Sequence, residues 1–105
     1  MKKRIITNQT INSFKDYLIE NEKATATIEK YMRDIHLFVE DATDKPLDKP
    51  LVLEYKTSLE QIYAIRSANS MLAALNSFFR FLGWHDLCVK QFKVQKEAYC
   101  SEEKE

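Results

Sequence analysis

The amino-acid sequence predicts an all-α domain of four helices followed by an extended segment, on three observations. Apolar residues recur at spacings of three and four in four separate stretches, as one face of a helix with 3.6 residues per turn requires. With 1 Gly and 2 Pro in 105 residues the chain holds few helix-interrupting residues, and its 45% hydrophobic content suits one packed core rather than two. Strand-like alternation is confined to the C-terminal stretch, where Phe92 and Val94 alternate with Lys93 and Gln95.

The first helix runs over about 10–21, with Thr10 or Asn8 as N-cap and Ile11, Phe14 and Leu18 on the buried stripe. Asn21 and Glu22 close it. The second begins near Thr25, where threonine side chains can accept from the first free amides, and continues to about 41 with Ile28, Tyr31, Ile35 and Phe38 inward. Lys30 and Arg33 face outward, with Leu37 beside them. Residues 44–50 read as a loop, because Asp, Lys and two prolines break both periodicities. The third helix spans about 50–63, capped by Asp48, with proline in its first turn and Val52, Tyr55 and Leu59 inward. The fourth starts near Ser67 and stops at Gly83, the chain's one glycine, placed for a left-handed C-terminal cap. Beyond it Trp84, Leu87, Val89, Phe92 and Val94 lose helical spacing and read as a tether. The chain divides accordingly into a helical domain, 1–89, and a linker, 90–105, whose charged end at 101–105 is not expected to order alone.

Formal net charge is zero, from 16 basic and 16 acidic residues, yet the charges are segregated. Residues 1–33 carry +3 (7 basic, 4 acidic), 34–60 carry −4 (3 and 7), 61–96 carry +4 (5 and 1) and 97–105 carry −3 (1 and 4). Local attraction for phosphates therefore survives overall neutrality.

The fourth helix is the most informative element. No carboxylate lies between Glu60 and Asp86. At about 100° per residue, Met71, Leu72, Leu75, Phe78, Phe79 and Leu82 crowd within roughly half a turn, while Arg66, Asn69, Ala73, Asn76, Ser77 and Arg80 fall opposite. A solvated face ordinarily carries Glu and Lys. Arg with short polar side chains can instead approach phosphates and base edges without carboxylate repulsion, and Arg and Asn pair bidentately with guanine and adenine. Two asparagines on one helical face also cost several tenths of a kcal/mol each relative to alanine, which a contact would rationalise.

Other classes of function find little support. No apolar run is long enough to cross a bilayer, and Lys2, Lys3 and Arg4 precede polar residues rather than a signal-peptide core, so a cytoplasmic protein is expected. Cys88 and Cys100 lack CxxC spacing and are expected as reduced thiols. His85 and Cys88 have no second ligand pair, so no metal and no cofactor are expected. No paired carboxylates, nucleophile–base arrangement or phosphate loop can be assembled, which ranks a small enzyme last.

The residues then match a known pattern. Thr27-Ile28, Tyr31, Asp34-Ile35 and Phe38 on the second helix resemble the N-terminal core-binding domain of tyrosine recombinases, the phage and transposon integrases. On the fourth, Leu72, Ala74-Leu75 and Phe78-Phe79-Arg80-Phe81-Leu82 are similar to the "LxALxxFFxFL" ending of that domain, and residues 90–96 to the linker into the catalytic domain. The resemblance covers about 11–96. It implies a SAM-like bundle of four or five helices that clamps one face of a recombination half-site, with the second and fourth helices against double-stranded DNA. The implied DNA-contacting set is Thr27, Lys30 and Arg33 on the second helix and Arg66, Ser67, Asn69, Ser70, Asn76 and Arg80 on the fourth. The implied partners are DNA and, through the full-length protein, other recombinase protomers, the isolated fragment being monomeric.

The family's catalytic arginine, His-x-x-Arg pair and tyrosine nucleophile belong to a downstream domain. In this chain Val39 and Cys88 stand where arginine would follow His36 and His85, so no catalytic residue is assigned, and Tyr17, Tyr31, Tyr55, Tyr63 and Tyr99 read as packing or surface residues. Ala24 replaces the family's common helix-starting serine, and Ser70, Met71 and Asn76 stand where relatives often carry basic residues. With about four to seven phosphate contacts from Lys30, Arg33, Arg66, Arg80 and the 2–4 arm, binding should be strongly salt-dependent and mostly non-specific. The alternative reading is a helical protein-interaction module without DNA binding.

Overall fold

The computed structural model describes residues 5–43 and 45–93. Four α-helices follow one another, α1 (Asn8–Glu20), α2 (Thr25–Asp41), α3 (Lys49–Ile62) and α4 (Ile65–Leu82), and a 3₁₀ turn, η1 (His85–Leu87), comes after them. The described residues contain no strand, so the all-α expectation holds. None of their helices is long and apolar enough to cross a membrane. The 2–4 arm, Asp44 and the linker from Val94 onward, including Tyr99, Cys100 and 101–105, lie outside the described residues.

Each helix end has a local cause. Thr7, rather than Thr10 or Asn8, caps α1, its hydroxyl accepting from the Thr10 amide at 3.1 Å. After α1 the backbone turns through Glu22 at φ 59°, and the Lys23 amide closes on the Leu18 carbonyl. α2 starts at Thr25 with Ala24 as N-cap and no side-chain cap bond, so the expected threonine cap is not made. Asp48 caps α3 as expected, accepting from the Leu51 amide at 3.0 Å, with Pro50 in the first turn where a missing N–H costs nothing. α4 begins two residues earlier than expected, again on an alanine N-cap, Ala64, without a side-chain bond. Gly83 ends it at φ 81°, the left-handed conformation that a residue lacking Cβ adopts without penalty.

α4 is the central element. It packs against α2, α3 and η1, while α1 packs against α2. Four fully buried phenylalanines join the layers: Phe14 of α1 meets Phe78 of α4 at 5.2 Å between ring centroids, and Phe38 of α2 meets Phe79 at 5.8 Å and Tyr55 of α3 at 5.0 Å. Ile11, Leu18, Ile28, Ile35, Val52, Leu59, Leu72 and Leu75 fill the space between them. The expected inward faces are those observed, except that Tyr31 and Leu82 are half-buried, while Leu51, Ala68 and Ala74 also turn inward. Leu87 is fully buried and Val89 nearly so, so the start of the supposed tether belongs to the core.

Candidate nucleic-acid interface

Helical geometry distributes the outward residues of α4 over two adjacent strips. Arg66, Ser70, Ala73, Ser77 and Arg80 lie within roughly 80° of one another, and Asn69 and Asn76 form a second strip beside them. The first strip is open. Arg66 and Arg80 are exposed, neither has an ion pair among the described residues, and the small side chains between them are half-buried. The two arginines are 14 positions apart, so the strip is about 21 Å long.

The second strip is occupied by the chain itself. Asn76 Nδ2 donates to the Val89 carbonyl at 2.8 Å while its Oδ1 accepts from the Val89 amide at 2.9 Å. Asn69 repeats the arrangement on Phe92, donating at 2.9 Å and accepting at 2.6 Å. Seven helical residues rise about 10.5 Å, and three extended residues advance about 10 Å, so two asparagines one heptad apart match two backbone positions three apart. The segment runs antiparallel to α4, each asparagine serving it as a neighbouring strand would. The Gln91 side chain, donating through Nε2 to the Asn69 carbonyl at 3.1 Å, and the Cys88 thiol, donating to the Asn76 carbonyl at 3.6 Å, add to the same seam. The expectation that Asn69 and Asn76 face a duplex therefore gives way: their amides clamp residues 89 and 92. The clamped stretch extends past the 89/90 division read from the sequence.

The remaining candidates are distributed as follows. On α2, Arg33 is exposed and Thr27 half-buried. Lys30 is also half-buried and pairs one turn on with Asp34, a carboxylate only 5% exposed, so part of its charge is used inside α2. On α4, Ser67 is exposed in the first turn and Ser70 is half-buried. The N-termini of α2 and α4 lack side-chain caps, which leaves early amides oriented along the helix axis. His85 and Cys88 form no ligand cluster, and the described residues contain no group of three or more metal-ligating side chains.

Two cations that the sequence assigns to an acidic stretch arrive at this end of the molecule. Lys49 Nζ donates to the Cys88 carbonyl at 2.9 Å and, at 3.4 Å, to that of Asp86. Lys56 Nζ lies 4.9 Å from the centroid of the Phe92 ring. Sequence reasoning missed both, and the one available signal was their separation of seven residues, which puts them on one face of α3.

Residues 11–86 match the family described as "Phage integrase, N-terminal SAM-like domain", a unit found in tyrosine recombinases. Comparison with curated proteins and with solved structures returned no match. The match takes in all four helices from the first buried isoleucine of α1 to η1, and the four-helix architecture agrees with it. The chain belongs to the phage integrase N-terminal SAM-like domain family.

Proposed function

We propose that this domain binds double-stranded DNA as the core-binding part of a site-specific tyrosine recombinase, clamping one face of the recombination site during integration or excision. The observation that carries this reading is the open flank of α4, where Arg66 and Arg80 stand exposed on a strip without carboxylates. Arg33 and Thr27 of α2, with Ser67 and Ser70 of α4, complete the contact set, and Lys30 contributes what its pairing with Asp34 leaves. Guanidinium groups on a surface of small side chains reach phosphates and guanine edges without steric or electrostatic obstruction. Strand cleavage would belong to a separate domain of the parent recombinase, and other protomers would assemble on the DNA through that protein.

The test is titration of a fluorescent duplex at low and moderate salt with the chain and its Arg66→Glu/Arg80→Glu variant. The chain should bind and weaken steeply with salt, and the variant should lose binding with unchanged helix content and melting. Equal affinity for both proteins would remove α4 from the interface. A protein-contact reading draws on Ile62, 70% exposed at the end of α3 beside the exposed Tyr63, and absence of duplex binding at both salts would favour it.

A further inference from the structure

We propose that the groove between α3, the last turns of α4 and the segment after η1 holds a phosphodiester of the DNA backbone; this extends the contact from Arg80 of α4 onto α3 and the segment after η1, and rests on the duplex-binding reading above. Four cations, Lys49, Lys56, Arg80 and Lys90, line this open groove of about 500 Å³, and no carboxylate is among its described lining residues. They come from three places in the chain, and two belong to the stretch of net charge −4, so their convergence is a product of folding alone.

Two of the cations have contacts that position them. Lys49 is tied to the carbonyls of Asp86 in η1 and Cys88 just after it, and Lys56 stands over the Phe92 ring with no hydrogen bond to oxygen among the described residues, so its three N–H donors remain for an anion. Asp48, next to Lys49, turns its carboxylate back to cap α3, and Glu54 and Glu60, the acids on either side of Lys56 along the helix, are not among the groove's lining residues. Like charges gathered around a groove that no carboxylate lines repel one another, and a polyanion relieves that repulsion. The groove is open rather than enclosed, which suits a passing backbone better than a small captured anion. Continuity supplies the link to the duplex: Arg80 lines this groove and also the hollow with Tyr17 and Ser77 on the other side of the open α4 strip. A strand lying along that strip is thereby led into the groove.

The test uses the full chain with Lys56→Gln and Lys90→Gln, singly and together, and Lys56→Arg as a charge-retaining control. Affinity for a fluorescent duplex is measured across a salt series, with melting recorded for each protein. The double variant should bind more weakly and lower the slope of log affinity against log salt by about 1 to 2, at about 0.9 for each phosphate no longer neutralised. Melting should stay near that of the parent chain, and Lys56→Arg should keep the parent slope. If the parent binds, Arg66→Glu/Arg80→Glu abolishes binding and the lysine variants leave affinity and slope unchanged, the groove is refuted while the duplex reading stands. Failure of the parent chain to bind duplex overturns both. Titration with inorganic pyrophosphate, followed by amide shifts at Lys56 and Lys90, separates the remaining source: saturation by pyrophosphate without duplex binding would make the groove a free-anion site and overturn the phosphodiester assignment.

Discussion

Replacing Asn76 with alanine distinguishes a clamp from a solvent-facing residue by the sign of the stability change. In the clamp, Asn76 makes two hydrogen bonds to the backbone of Val89, itself 7% exposed. Their loss removes about 0.5–1.5 kcal/mol each, with the upper end favoured because the Val89 amide and carbonyl are left unpaired near the core. Alanine returns roughly 0.5 kcal/mol through its better helix propensity. The net expectation is destabilisation by about 0.5–2.5 kcal/mol, a fall in melting temperature of roughly 2–20 °C for a domain of this size. Thermal melting by circular dichroism reads the total, and hydrogen exchange at the Val89 amide reads the site, which should lose protection before the helices do. An asparagine presented to solvent or to DNA would give the opposite result, a small stabilisation in the free protein. A melting temperature equal to or above the parent's would therefore refute the clamp.

Two further outcomes test the core. Phe78→Ala, at a fully buried ring against Phe14, should cost about 3–5 kcal/mol, and a near-native melting temperature would show that the inward face of α4 is wrongly assigned. Burial, reinforced by Asp41, Tyr63 and Asp34, pushes the Tyr55 hydroxyl well above its ordinary value of 10.0. The unfolded tyrosine ionises near that value while the folded one stays neutral. Its contribution is thus complete below about pH 10, and stability falls by up to about 1.4 kcal/mol per pH unit above it. Denaturant unfolding between about pH 9 and 11.5 should show that slope in excess of the slope of Tyr55→Phe, and identical slopes would remove the buried hydroxyl from the account.

The helices and their buried faces are legible in the sequence because the forces that specify them are local. Ile11, Phe14 and Leu18, or Phe78 and Phe79, reveal a buried stripe by spacing alone, and Gly83 marks a helix end because its backbone conformation is one that other residues enter at a cost. Caps are less legible. Thr7, Thr10 and Asn8 all lie close enough to close α1, and the choice among them depends on where the chain enters the bundle. Ala24 and Ala64 give no side-chain signal at all, which is why the sequence pattern places the start of α4 two residues late.

Along the outward side of α4, Arg66 and Arg80 can be placed from the sequence because nothing folds over them. Asn69 and Asn76 cannot. Their composition and spacing are the same whether they meet a base edge or a backbone, and what meets them is a segment 13 to 23 residues away in sequence, brought back by burial of Leu87 and Val89. The basic groove has the same origin, since Lys49 and Lys56 sit among acids along the chain and beside Arg80 and Lys90 in space. The sequence by itself determined the four helices, their inward faces and the acid-free flank, all properties of near neighbours. Which polar groups remain open for a ligand was decided by tertiary structure, because hydrogen-bond partners and electrostatic neighbours are set by distance in space.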